Sequence, residues 1–230
     1  MNRAFIFILL NILLSSCTLI SKIVHGSKSP KVENQETVTN WLKKHHFSYL
    51  NTATVTPDKF YNYILSLFKT PLLFDYSTGN FLAVGMGNGK YCPQDVDKVI
   101  NNISPYQTLF TKPANYFISK SYQYSSVHEN NNDVKSIKVD TSYLHLPAFI
   151  EIFRTLNGKP YKFTTEDKPD YVLVLPFALF LGSKVQLSDI KKIYRAATNN
   201  KNAKIHTIFL NLDKQEWWGE EWNKKIQISI

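Results

Sequence analysis

Residues 170–193, DYVLVLPFALFLGSKVQLSDIKKI, set out a strand, a turn and a helix in succession. The run Val172–Phe177 is apolar without alternation, the signature of a strand covered on both faces rather than one half in water. Gly182 marks a turn after it, and a helix is expected over about 187–199. KIHTIFLNL, residues 204–212, then supplies a second apolar strand. Strand (171–180), helix and strand in that order predict a right-handed parallel βαβ unit within an α/β sheet.

Upstream, SYLNTATV has strand composition, and Thr56-Pro57-Asp58 opens a helix with Thr56 as cap and Pro57 in the first turn. Phe60, Ile64, Leu67 and Phe68 share one face of that helix. Leu72–Tyr76 and Phe81–Met86 flank Ser77-Thr78-Gly79-Asn80, a hairpin signal. The Gly85–Gly89 loop leads to Cys92-Pro93 and a helix carrying Val96, Val99, Ile100 and Ile103. Two strand-like stretches within 104–146 are separated by the polar VHENNND. LPAFIEIFRTLNG reads as a helix started by Pro147 and stopped by Gly158. A tryptophan-rich helix closes the chain.

The chain has 230 residues and is 43% hydrophobic, enough for a real core. Lysine and arginine number 27 against 18 acidic residues, a formal charge of +9 that favours anionic surfaces. The lysines are scattered, as on a solvated basic face, and no nucleic-acid partner is expected. Two cysteines, Cys17 and Cys92, exclude a disulfide framework and a four-cysteine zinc site. The six histidines show no metal-ligand spacing, and adjacent His45 and His46 point apart. No metal and no cofactor is expected.

MNRAFIFILLNILLSSC opens with Arg3 and an apolar run from Ala4 to Leu14, too short to span a bilayer but suited to a signal peptide. Leu14-Ser15-Ser16-Cys17 resembles the bacterial lipobox, in which the cysteine is lipidated and becomes the new N-terminus. The resemblance implies cleavage after residue 16 and acyl chains such as palmitate on Cys17. It further implies a membrane partner reached through that anchor, and a place in the bacterial cell envelope, facing the periplasm or the surface.

Lys168-Pro169, the run Val172–Phe177 and the Gly182 turn resemble the first half of the thioredoxin-like domain of membrane-anchored bacterial redoxins. IFLNLDKQEWWGEEWNKK is similar to that domain's second strand, its Asp and its Trp-containing helix. The resemblance covers about 60 residues. Thr70-Pro71, the hairpin and the following helix resemble the closing half of the same fold, which in the family comes second and here comes first. A permuted domain would make Pro71 cis and set it beside the Leu181 turn. The family's two cysteines fall on Leu181 and Lys184, so the turn Leu181-Gly182-Ser183-Lys184 keeps the backbone shape without the thiolate and the resolving thiol.

The fold expected is therefore α/β, a thioredoxin-like βαβ core in a mixed sheet with additional α+β elements. Its parts are a signal peptide (1–16), the lipidated cysteine and a polar tether (17–44), a helix-hairpin-helix half (45–103), an inserted α+β segment (104–165) and the βαβ half (166–230).

Three function classes follow. The first is a non-redox binding or accessory module that holds a protein or peptide through Pro71, Leu181, Gly182, Ser183 and Lys184. The second is a single-cysteine thiol oxidoreductase or peroxidase using Cys92, which precedes a helix start where exposed N–H groups favour a thiolate. The third is a carbohydrate-binding surface using Trp217, Trp218 and Trp222, whose spacing on a helix gathers the indoles near one face. The absent dithiol leans the chain away from enzyme. Glu216, Glu220 and Glu221 read as solvated surface acids, and GMGNGKY (85–91) lacks the phosphate-loop spacing.

Overall fold

The strand at the centre, Tyr171–Phe177, is buried over its whole length, as its unbroken apolar run requires. The computed structural model describes residues 30–60, 71–82, 96–101, 103, 145–163 and 168–226. The signal segment, Cys17, Ile64–Phe68, the Gly85–Gly89 loop, Cys92, the strands expected within 104–144 and the Thr70–Pro71 peptide bond lie outside the described residues.

In chain order the elements are β1 (Val32–Glu33), α1 (Gln35–Lys44), β2 (Thr52–Val55), β3 (Leu72–Asp75), β4 (Phe81–Leu82), α2 (Val96–Asn101) and α3 (Leu146–Glu151). They continue with β5 (Phe153–Arg154), β6 (Tyr171–Phe177), α4 (Ser183–Thr198), β7 (Ile205–Asn211), β8 (Lys214–Gln215) and α5 (Gly219–Lys225). The chain is an α/β protein, and among the described residues its mixed sheet has six strands in the order β4-β3-β6-β7-β2-β5. β6, β7 and β2 are parallel, while β3 runs antiparallel to β6, β4 to β3, and β5 to β2. Seven consecutive pairs from Tyr171↔Ile205 to Phe177↔Asn211 join the two long strands. Pro176 lacks an N–H, and it sits past Val174, the last β6 residue paired with β3.

Strand pleating divides the core into two layers. Leu72, Phe74, Val172, Val174, Ile208 and Leu210 point to one face, where they meet Phe60, Phe149, Phe153 and Trp218. Leu73, Leu173, Leu175, Phe177 and Phe209 point to the other and are covered by α1, α2 and α4. Each fully buried side chain of this kind contributes about 1.5–3 kcal/mol.

Some expectations of the sequence meet a different local structure: the strand expected over 171–180 ends at Phe177, with Leu179–Leu181 in a 3-10 turn, and the helix expected from about 187 opens at Ser183. Part of the stretch read as a tether, Gln35–Lys44, forms α1: Asn34 and Thr37 make a reciprocal capping box, and Val38 and Leu42 are buried. The helix read over LPAFIEIFRTLNG ends at Glu151, and Phe153–Arg154 become a strand paired with Val55 and Thr54. Phe153 gains full burial at the β2 edge, which outweighs one further helical turn.

Candidate functional site

In an open α/β sheet the loops beyond the carboxyl ends of parallel strands form the natural crevice. Here that end is built from the turn after β6 and the segment after β7. Ala178 leads into a single 3-10 turn, Leu179–Leu181, and Gly182 at φ +76° turns the chain into α4. From the last residue of β7 into β8, Asn211, Asp213 and Gln215 alternate along the chain and are all wholly buried.

These side chains hold the turn. The Leu179 backbone N–H donates to both carboxylate oxygens of Asp213, at 3.0 and 2.8 Å, and the Phe180 N–H reaches one of them at 3.4 Å. The Asn211 amide donates to the same carboxylate at 2.7 Å. Gln215 Nε2 donates to Asn211 Oδ1 at 2.7 Å and to the Asp213 carbonyl at 2.8 Å. From α4, Gln186 clasps Ala178, accepting its N–H at 3.2 Å and donating to its carbonyl at 2.5 Å. Burial pushes the Asp213 carboxyl up to about 7, against the Leu179 and Asn211 donors that favour its charged form. Among the described residues Gln215 Oε1 is buried without a partner.

The arrangement is chemically specific. A turn with outward N–H groups would bind an external anion or steady a thiolate. Here the Leu179 and Phe180 N–H groups are taken by an internal carboxylate.

No family model, no curated protein and no solved structure matches the chain.

Pro71 is buried at the start of β3, and the pairing of Leu72 with Val174 carries it toward Leu175, at the carboxyl end of β6. Leu181 is buried in the same core layer as Leu72 and Trp218. Gly182 is buried, and Ser183 and Lys184 open α4. The tryptophans divide. Trp217 and Trp218 lie in a 3-10 turn, Glu216–Trp218, and Trp222 in α5. Trp218 is buried, donates its indole N–H to the Val55 carbonyl at 3.2 Å and meets Phe60 edge-on at 4.9 Å. Trp217 is half-buried against Gly158, and Trp222 packs on the core rim with Lys225 Nζ 5.0 Å above its ring.

Sequence reasoning saw Asp213 only as a strand-end acid and missed Asn211, Gln215 and Gln186. The available signal was N-L-D-K-Q itself: polar residues at 211, 213 and 215 alternate with the strand period and so share one face.

Proposed function

We propose that the protein is a lipid-anchored extracytoplasmic lipoprotein of the bacterial cell envelope, with a degenerate, non-redox thioredoxin-like domain acting as a binding or accessory module. The observation that carries this reading is the pairing of the Leu72–Leu82 hairpin directly against β6, antiparallel, with Pro71 at the end where the Leu181 turn departs. A hairpin that precedes the βαβ unit in sequence, yet completes its sheet, is what a permuted domain requires. The packing of α2 against α4 through Ile100, Ile190 and Ile193 supports the same reading.

The turn supports a binding rather than a redox role. Leu181 and Lys184 carry no thiol, and Asp213 occupies the amides that would stabilise a thiolate. The partner is a peptide or protein held at the carboxyl edge of the sheet, beside Pro71 and Gly182.

The deciding experiment is the pH profile of Cys92 alkylation on the folded chain. A midpoint at or above the ordinary thiol value of about 8.5 supports a binding module. A midpoint near or below about 6.5 means a stabilised thiolate and overturns the reading in favour of single-cysteine chemistry. The anchor is tested apart: Cys17→Ala releases the protein from membranes, and retention of that variant refutes lipidation at Cys17.

A further inference from the structure

α1 ends at Lys44, and His46, at φ +63°, reverses the chain into the loop before β2. That loop carries two exposed large apolar side chains side by side, Tyr49 at 43% and Leu50 at 78%. Phe47 anchors its base in the core against Phe209 and Tyr194, so the tip stands on a fixed support. The surroundings are cationic. Lys43 Nζ lies 4.6 Å above the Tyr49 ring, and Lys44 occupies the same last helical turn. After burial, the influences that hold the His45 imidazole below its ordinary value are all positive neighbours: Lys191 from α4, then Lys44 and His46.

We infer that the Tyr49-Leu50 tip, flanked by Lys43 and Lys44, docks the domain onto an anionic phospholipid surface, Leu50 entering the headgroup layer and the lysines meeting phosphate. This inference rests on the lipid anchor proposed above. Charge selects the occupant: an apolar tip flanked by lysines complements an anionic membrane, where each basic residue adds about 1 kcal/mol of attraction. The length of chain before the domain allows it. Twelve residues separate Cys17 from Pro30, a reach of up to about 40 Å. The ten-residue α1 between that attachment and the tip is only about 15 Å long. An anchored chain can therefore lie with α1 along the bilayer and its tip in contact.

The test uses the full chain with Leu50→Cys and Cys92→Ser, labelled at residue 50 with an apolar, environment-sensitive fluorophore. It is bound to phosphatidylcholine vesicles with or without phosphatidylglycerol. The expected result is co-flotation with both vesicles, but a blue-shifted label only where phosphatidylglycerol is present. Lys43→Gln with Lys44→Gln should lower the docked-to-undocked ratio about 30-fold without releasing the chain. The salt dependence of the unmutated tip gives the same readout without touching the helix. A chain that floats while its label stays in water overturns the docking inference and leaves the anchor standing. A chain that fails to float refutes the anchor; Cys17→Ser is then added so that residue 50 alone carries the label, and a blue shift on added anionic vesicles still supports the tip. A blue shift that grows with protein concentration without vesicles assigns the tip to a second copy and overturns the lipid assignment.

Discussion

Asp213 draws the Leu179 backbone N–H between its two carboxylate oxygens, 2.8 Å from one and 3.0 Å from the other. The bond joins the end of one parallel strand to the end of the next. It turns a loop that could receive a ligand's charge into one already neutralised from within.

This contact sets a pH dependence. In the unfolded chain Asp213 titrates near the ordinary value of about 3.9, whereas burial raises it to about 7 in the fold. Between these values the folded state binds more protons. The stability it contributes is therefore complete below about pH 4 and is lost as pH rises through about 7, by at most roughly 1.4 kcal/mol per pH unit. Asp213→Asn should flatten that slope. Urea unfolding of both proteins across this window checks it, and parallel curves would refute the assignment.

Gln186 satisfies both backbone groups of Ala178. Gln186→Met keeps the side-chain length and leaves the buried Ala178 N–H unpaired, while the Ala178 carbonyl keeps the Leu181 N–H at 3.3 Å. A loss of about 1–3 kcal/mol is expected from the denaturation midpoint, the usual cost of one such group. A loss below about 0.5 kcal/mol, the size of an ordinary surface change, would mean that Ala178 finds other partners.

Gly158 and Gly219 both have positive φ, +84° and +81°, so alanine strains either one. They differ in space. A methyl at Gly158 would lie 2.8 Å from the Trp217 ring, while no described residue stands within 4 Å of one at Gly219. Gly158→Ala should be the more destabilising by about 1–3 kcal/mol, the usual cost of overpacking, and should shift tryptophan emission. Equal losses with unchanged emission would place the cost in the backbone alone.

Trp218→Phe removes the donor to the Val55 carbonyl and part of the packing on Phe60. A cost of about 1–3 kcal/mol is expected in chemical unfolding. Trp222→Phe, at the half-buried rim, should cost less than about 1 kcal/mol. The reverse order would argue that Trp222, not Trp218, secures the last helix.

Elements whose side chains sort by a simple period were legible in the residues alone. The apolar runs of β6 and β7, the Thr78-Gly79 hairpin and the start of the Pro57 helical turn are where the residues put them. Burial on two faces needs an unbroken apolar run, and tight turns need glycine, whatever lies around them. The α/β class follows from the same signals.

That the hairpin pairs with β6 came from the assembled fold, because strand pairing is a choice among edges that no local pattern encodes. It also turned Phe153–Arg154 from helix into strand, since the gain lay in a distant partner, β2. The site divided the same way. Leu181 and Gly182 were legible as a turn, but the role of Asp213 was not. A carboxylate reads as a surface group until the fold buries it and brings the Leu179, Phe180 and Asn211 donors around it, and that convergence of segments more than thirty residues apart is a property of packing alone.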